Sequence, residues 1–313
     1  MPRLIPVSAR RRTRRGVSLP EVLIVIMILG IVGGAIFKVL VKQQQSYTDT
    51  SRQADMQREI RLTSSFLPSD LRSLSSAGSD VIAMDEDRFS FLATIGSGIV
   101  CSKTSNTHFS VPPTDAAGVT TSNWHTLPIA GDSVFLYNDS LDAGSVDDVW
   151  QRARIQSVAT SMSDCPGAPF TDPTNDAGKA RWRFAVVSPG VADSVRLGAV
   201  VRFARPVRYR LYQVPSRNWY VGFEQYVSGA WSAIEPVGGP FRPYVATDAG
   251  KSGLQFRYFD SLGVRLTSVA QKTDVSRIDV YLRTNAGLAA VTERRPNDIQ
   301  DSVMMRIAVR NFK

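Results

Sequence analysis

Val17 to Val41, VSLPEVLIVIMILGIVGGAIFKVLV, runs 25 residues with only two charges, Glu21 and Lys38. As α-helix it spans about 37 Å, against a hydrocarbon core of about 30 Å. This run sets the class of the molecule: it is a membrane-crossing helix, because in lipid the backbone must satisfy its own hydrogen bonds. Residues 1–16 carry Arg3, Arg10, Arg11, Arg12, Arg14 and Arg15 and no acid. No comparable cluster follows, so the N-terminus is expected in the cytoplasm and everything beyond Lys42 outside.

The formal charge of +9, from 37 Lys and Arg against 28 Asp and Glu, would suggest an acidic partner were it spread over the surface. Six of the cations lie in residues 1–16, so the rest of the chain carries 31 against 28, or +3. At 43% hydrophobic and 21% charged, the 313 residues are neither disordered, collagen-like nor a pure coiled coil. The length allows two domains, or one β-rich domain with an appendage.

Three readings compete for the N-terminal segment. A secretory signal has an apolar core of about 7 to 15 residues and a small-x-small cleavage site; this core is longer and runs into VKQQQSYT. Thr13-Arg14-Arg15-Gly16-Val17 resembles a twin-arginine export signal but lacks the downstream cleavage site. The third reading rests on Arg14-Arg15-Gly16 followed by Val17-Ser18-Leu19-Pro20-Glu21-Val22-Leu23. A basic leader ending in Gly, then an apolar residue, then a lone Glu five places into a long apolar helix, resembles the prepilin signal of type IV pilins and type II secretion pseudopilins.

The resemblance implies that a prepilin peptidase cleaves between Gly16 and Val17 and methylates Val17, where the family usually has Phe. A carboxylate in an apolar helix costs up to about 3 kcal/mol near the bilayer centre, so it needs a partner or a purpose. Glu21 sits one turn from the new amine of Val17. In a filament, the resemblance implies, Glu21 meets the positive N-terminus of a neighbouring subunit. The bland alternative is a signal anchor that tolerates an interfacial Glu. Gly30 and Gly34 form a GxxxG pair beside Gly33, read either as a surface for close helix packing or as a weak stretch that bends.

Beyond Lys42 the sequence turns polar without a turn signal. Met56, Ile60, Thr63, Leu67, Leu71 and Leu74 recur at helical spacing, predicting one helix from Val17 to Leu74, with Pro68 bending or interrupting its last turns. Ser75 to Asp80 stops it. From Val81 onward short alternating runs predict strands over Arg88–Thr94, Val134–Tyr137, Val149–Val158, Arg181–Val187, Val207–Tyr212, Trp219–Tyr226, Leu254–Phe259, Arg277–Leu282 and Val303–Val309. Ser102–Asn123 and Asp164–Lys179 read as long loops. The expected fold is therefore α+β: a basic leader (1–16), a membrane-spanning half-helix (17–41), an amphipathic half-helix (42–75) and a β-rich head (76–313).

Cys101 and Cys165 are the only cysteines. On the outer side of a membrane they are read as a disulfide; closing a loop of that length stabilises a fold by about 4 kcal/mol in the chain-entropy model. Two separate buried thiols are the alternative.

No catalytic, metal or cofactor pattern emerges, so neither an enzyme nor a cofactor is expected. His108 and His125 lie in loop-like sequence without ligand spacing. Gly131-Asp132-Ser133-Val134 superficially resembles the nucleophile block of the GDSL esterases, but no His follows residue 125 to act as base. Between Arg181 and Arg217 eight arginines face a single acid, Asp193, with aromatics interleaved. Arg181, Arg183, Arg208 and Arg210 could present a basic face to a nucleic acid strand. Ordinary strand alternation, or pairing with an acidic neighbour, gives the same pattern.

The head's size and the segment from Gln43 to Leu74 resemble the PilW-like minor pilins, with the larger J-type minor pseudopilin of type II secretion as near alternative. The implied partners are prepilin peptidase, other minor and major pilins or pseudopilins, the inner membrane and its assembly platform. A membrane-anchored exported binding protein that never polymerises is the alternative of another class.

Overall fold

The computed structural model describes residues 16, 18–76, 78–113, 122–138, 149–165, 171–172, 174, 176–284 and 301–309. The leader through Arg15, and Val17, lie outside them. Among the described residues one α-helix, α1 (Leu19–Arg72), is followed by sixteen strands and two short 3-10 helices. They are β1 (Val81–Met84), β2 (Arg88–Ile99), β3 (Ser102–Ser105), β4 (His108–Val111), β5 (Asn123–Trp124), β6 (Ser133–Asn138), β7 (Val149–Ser161) and β8 (Arg181–Val186). The second half has β9 (Val200–Gln213), β10 (Trp219–Val227), β11 (Ala230–Trp231), β12 (Glu235–Phe241), β13 (Leu254–Phe259), β14 (Arg265–Leu266), β15 (Arg277–Arg283) and β16 (Ser302–Ala308). The chain divides into two compact units, residues up to Ala54 and Asp55 onward.

In the first unit α1 exposes every residue from Leu19 to Leu40. At 1.5 Å per residue the apolar part is long enough to span a bilayer. The helix runs unbroken through Gly30, Gly33 and Gly34.

The second unit is the head, and it starts within α1. Met56, Ile60, Thr63, Leu67 and Leu71 are buried, with Leu74 just past the helix end. The helical stripe in the sequence is thus the face that joins the core. That is why the head begins structurally at Asp55 rather than after the helix. Pro68 lies inside α1 without ending it; the helix forfeits one backbone bond near its C-terminus, and the buried Leu67 and Leu71 on either side hold the turn. Tyr209 adds a bond from its hydroxyl to Asp70, 2.6 Å.

A twelve-stranded sheet runs β1-β2-β9-β6-β7-β8-β4-β3, with β5 on β2 and β10, β11 and β12 continuing beyond β9. A four-stranded antiparallel sheet runs β14-β13-β15-β16. One core gathers the α1 stripe, Phe89 and Phe91 of β2, Val207, Tyr209 and Leu211 of β9, and Phe256, Val280 and Ile307 of the smaller sheet. A second core holds Phe109, Val134, Ile155, Phe184 and Phe203. Phe184 on β8 and Phe203 on β9 sit three strand steps apart, about 14 Å in a flat sheet. Their rings are 4.6 Å apart, so the sheet curls over this core. A register shift at Ile155/Ser157 in β7 supplies the bend.

Glycine at position 238 is dictated by packing. A Cβ there would lie 2.0 Å from Thr63 Oγ1 of α1, so only a bare backbone lets β12 approach the helix this closely. The neighbouring Gly239 N–H donates to Glu59 at 3.3 Å.

Cys101 and Cys165 are joined by a disulfide with Cα atoms 5.2 Å apart. The bridge anchors Asp164, which accepts bonds from Ser110 Oγ (2.5 Å) and from both Nε (2.8 Å) and Nη2 of Arg183. The Arg183 guanidinium, outweighing burial and helped by Ser110, holds the Asp164 carboxyl down to about 2 from its ordinary 3.8. A carboxyl whose folded value is depressed stabilises the fold above its ordinary pKa, and that contribution is lost as pH falls through the folded value. The difference in melting temperature between the native chain and Asp164→Asn should therefore be constant above about pH 5 and shrink between about pH 4 and pH 2; a difference independent of pH would contradict the assignment.

Candidate assembly site

Ser18 precedes the helix, and its carbonyl accepts from the Glu21 N–H at 3.0 Å and the Val22 N–H at 3.2 Å, closing the first turn. Pro20 sits in that turn, where its missing N–H would have had no helical partner. Glu21 is the acid of the first turn. An anion there faces the positive end of the helix dipole, which lowers but does not remove the cost of placing it among apolar residues. Ser18-Leu19-Pro20-Glu21 also has the S-x-x-E spacing of a capping box.

The surface around Glu21 is bare. Leu19, Leu23, Ile24, Ile28 and Ile31 are all more than half exposed. A Cβ added at Gly30, Gly33 or Gly34 would meet nothing within 4 Å. The helix is thus a continuous apolar rod with one carboxylate near its start and a small-residue strip a few turns on. Its surface is available to lipid or to other helices. Gly16 is exposed, and Val17, the expected site of cleavage and methylation, lies outside the described residues.

The arginine-rich strands do not converge on one site. Arg181 and Arg183 lie on β8, Arg208 and Arg210 on β9, separated in the sheet by β7 and β6. Arg181 is buried and donates to the carbonyl of Lys179 at 2.7 Å. Arg183 is held by Asp164. Arg208 and Arg210 both grip Glu224 across the β9–β10 pair, each with Nε at 2.7 Å. Burial opposes the Glu224 charge, but the two guanidiniums prevail and its pKa is lowered. Arg208 also stacks on Trp231, 4.2 Å from the ring centroid.

Sequence spacing gave no hint of these partners. Glu224 lies 16 and 14 residues from its arginines, and Asp80, which takes a bidentate bond from Arg202, lies 122 residues away. The esterase-like block resolves in the same way: Asp132 is the carboxylate of Arg205, and the Ser133 hydroxyl accepts from Arg152. His108 is exposed, with Nδ1 beside the hydroxyls of Ser105 and Thr107. No group of three or more metal-ligating side chains occurs among the described residues.

A family model for the prokaryotic N-terminal methylation motif matches residues 11–37. No curated protein and no solved structure matches the chain. The match spans the last leader arginines, the Gly16–Val17 junction, Glu21 and the apolar rod as far as Phe37. That motif leads into a 54-residue helix and a β-rich head, and it supports reading the chain as a type IV pilin-like protein.

Proposed function

We propose that the chain is a minor pilin that primes or caps a type IV pilus. Proteins with this motif are processed by prepilin peptidase and assemble with other pilins. In this reading the peptidase cuts after Gly16 and methylates Val17. The 17–41 half-helix holds the subunit in the inner membrane with its head on the periplasmic side. The assembly platform then transfers it into the filament. There Glu21 neutralises the amine of a neighbouring Val17, and the Gly30–Gly34 strip lets helices approach.

The observation that carries the reading is the motif match over residues 11–37 on a helix whose entire apolar half is uncovered. The minor role draws support from the head: a two-core domain from Asp55 onward is easier to place at a filament end, where neighbours crowd it on one side only. Its paired arginines favour a structural surface over a nucleic-acid face. The test is recovery of the tagged full-length chain with sheared filaments. Recovery with type IV pili supports the reading. Recovery only with secretion pseudopili reassigns it to that system, and confinement to the membrane fraction overturns both.

A further inference from the structure

A cleft of about 560 Å³ opens on the head where β7 meets the Val187–Gly190 turn. Arg152 and Arg154 of β7 line it together with Pro189, Pro206 and Tyr226. The volume is that of a small-ligand site, which runs from about 300 to 1,000 Å³. The turn is firmly held. Val187 N–H donates to the Arg154 carbonyl at 2.9 Å, and Gln151 bonds the Gly190 carbonyl and the Ala192 N–H at 3.0 and 2.8 Å. Gly190 has φ +82°, and a Cβ on it would lie 2.0 Å from the Asn106 carbonyl oxygen, so the turn fits only with glycine.

Neither arginine of this cleft is ion-paired among the described residues. Arg183, Arg202, Arg205, Arg208 and Arg210 each hold a carboxylate. Arg152 and Arg154 hold none among the described residues. Arg152 bonds only the Ser133 hydroxyl, through Nε at 3.3 Å and Nη2 at 3.0 Å. Arg154 has no side-chain hydrogen bond among the described residues, and its Nη2 lies over Gly131. The nearby Asp80 already accepts two bonds from Arg202 and one from the Ser75 N–H. Packing beneath Arg152 lowers its pKa against the pull of Asp80, and the Arg202 charge adds to the lowering.

We propose that this cleft binds an extended acidic peptide segment of a partner protein, with carboxylates on alternate residues meeting Arg152 and Arg154. Alternate side chains on a strand recur about every 6.8 Å, and those of an extended peptide share that period. Arg154 can then take a carboxylate as a two-pronged bond, while Arg152, whose Nε and Nη2 bond Ser133 Oγ, offers its Nη1. The proline and tyrosine surfaces suit a peptide's apolar stems, which a free inorganic anion would not use. A nucleic acid strand would need successive stacking rings. The cleft offers Tyr226 alone, already packed edge-on to Trp231 at 5.4 Å. The choice of a protein partner rests on the filament-subunit reading.

The test is fluorescence anisotropy on the full-length chain in detergent, with a labelled Gly-Glu-Pro-Glu-Gly peptide and its glutamine counterpart. The glutamate peptide should bind about tenfold more tightly than the glutamine one. Arg154→Gln breaks no internal hydrogen bond, so it should weaken binding about tenfold without moving the melting temperature, while the exposed Arg217→Gln leaves binding unchanged. Equal affinity for both peptides, no effect of Arg154→Gln, or the same loss in Arg217→Gln overturns the site. Tighter, Arg154-dependent binding of an oligothymidylate, or displacement by equimolar inorganic phosphate, overturns the peptide assignment. None of these readouts depends on processing at Val17, so a failure here leaves the filament reading standing, and the reverse.

Discussion

Glu21→Ala should remove the chain from sheared filaments while leaving its membrane insertion and its cleavage after Gly16 intact. The substitution deletes a charge that costs up to about 3 kcal/mol in an apolar helix, so anchoring can only improve. What is lost is the counter-charge for a neighbouring subunit's N-terminal amine. Leaving one member of a buried ion pair alone costs about 3 to 5 kcal/mol, more than a hundredfold in the assembly equilibrium. Glu21→Gln keeps the shape without the charge and should fail equally, whereas Glu21→Asp should retain part of the assembly. The readout is the ratio of filament to membrane protein; wild-type incorporation of Glu21→Gln would show that charge is not the determinant.

The largest stability effect in the head should come from Asp132→Ala. Arg205 and Asp132 are 5% and 1% exposed and share two bonds, at 2.9 and 2.8 Å. Asp132 also accepts from the Ile129 N–H at 2.8 Å. Truncating it leaves a buried guanidinium with only Gln225 and the Leu127 carbonyl, at a cost of about 3 to 5 kcal/mol. For a domain of this size that corresponds to a fall in melting temperature of roughly 6 to 20 °C. Replacing both residues by apolar ones, as Asp132→Leu with Arg205→Met, should recover much of the loss. By contrast Asp85→Ala breaks a pair that is 39 to 45% exposed and should cost less than about 1 kcal/mol. A similar fall in both single variants would mean that burial does not set the strength of these pairs.

What the sequence made readable is what short-range periodicity encodes. The α1 stripe, the central strands and the N-terminal motif follow from spacings within a few residues. Four-residue β1, Val-Ile-Ala-Met, is too short for alternation to show, and β3 and β4 within Ser102–Val111 are short and interrupted by Ser and Thr; the stretch read as one long loop is partly sheet. β12, Glu235-Pro236-Val237-Gly238-Gly239-Pro240-Phe241, reads as a breaker sequence. It forms a strand because β10 pairs with it and because its Gly238 must pass close to Thr63. In sequence the arginine-rich strands fit either a basic face or ordinary alternation with acidic neighbours, for the converse reason: their carboxylates arrive from distant parts of the chain, and only the folded sheet brings them in. Arg152 and Arg154 lie outside that dense run, and neither has a carboxylate partner among the described residues.

The central claim is that an apolar helix with a lone acid near its start is completed by the freed, positively charged N-terminal amine of a neighbouring subunit. It is tested most directly by mass spectrometry of the N-terminal peptide of the full-length chain expressed in a host with prepilin peptidase and recovered from membranes. The account predicts a peptide beginning at Val17 with one added methyl group on its amine. A peptide beginning upstream of Gly16, with the leader arginines still attached, would contradict it.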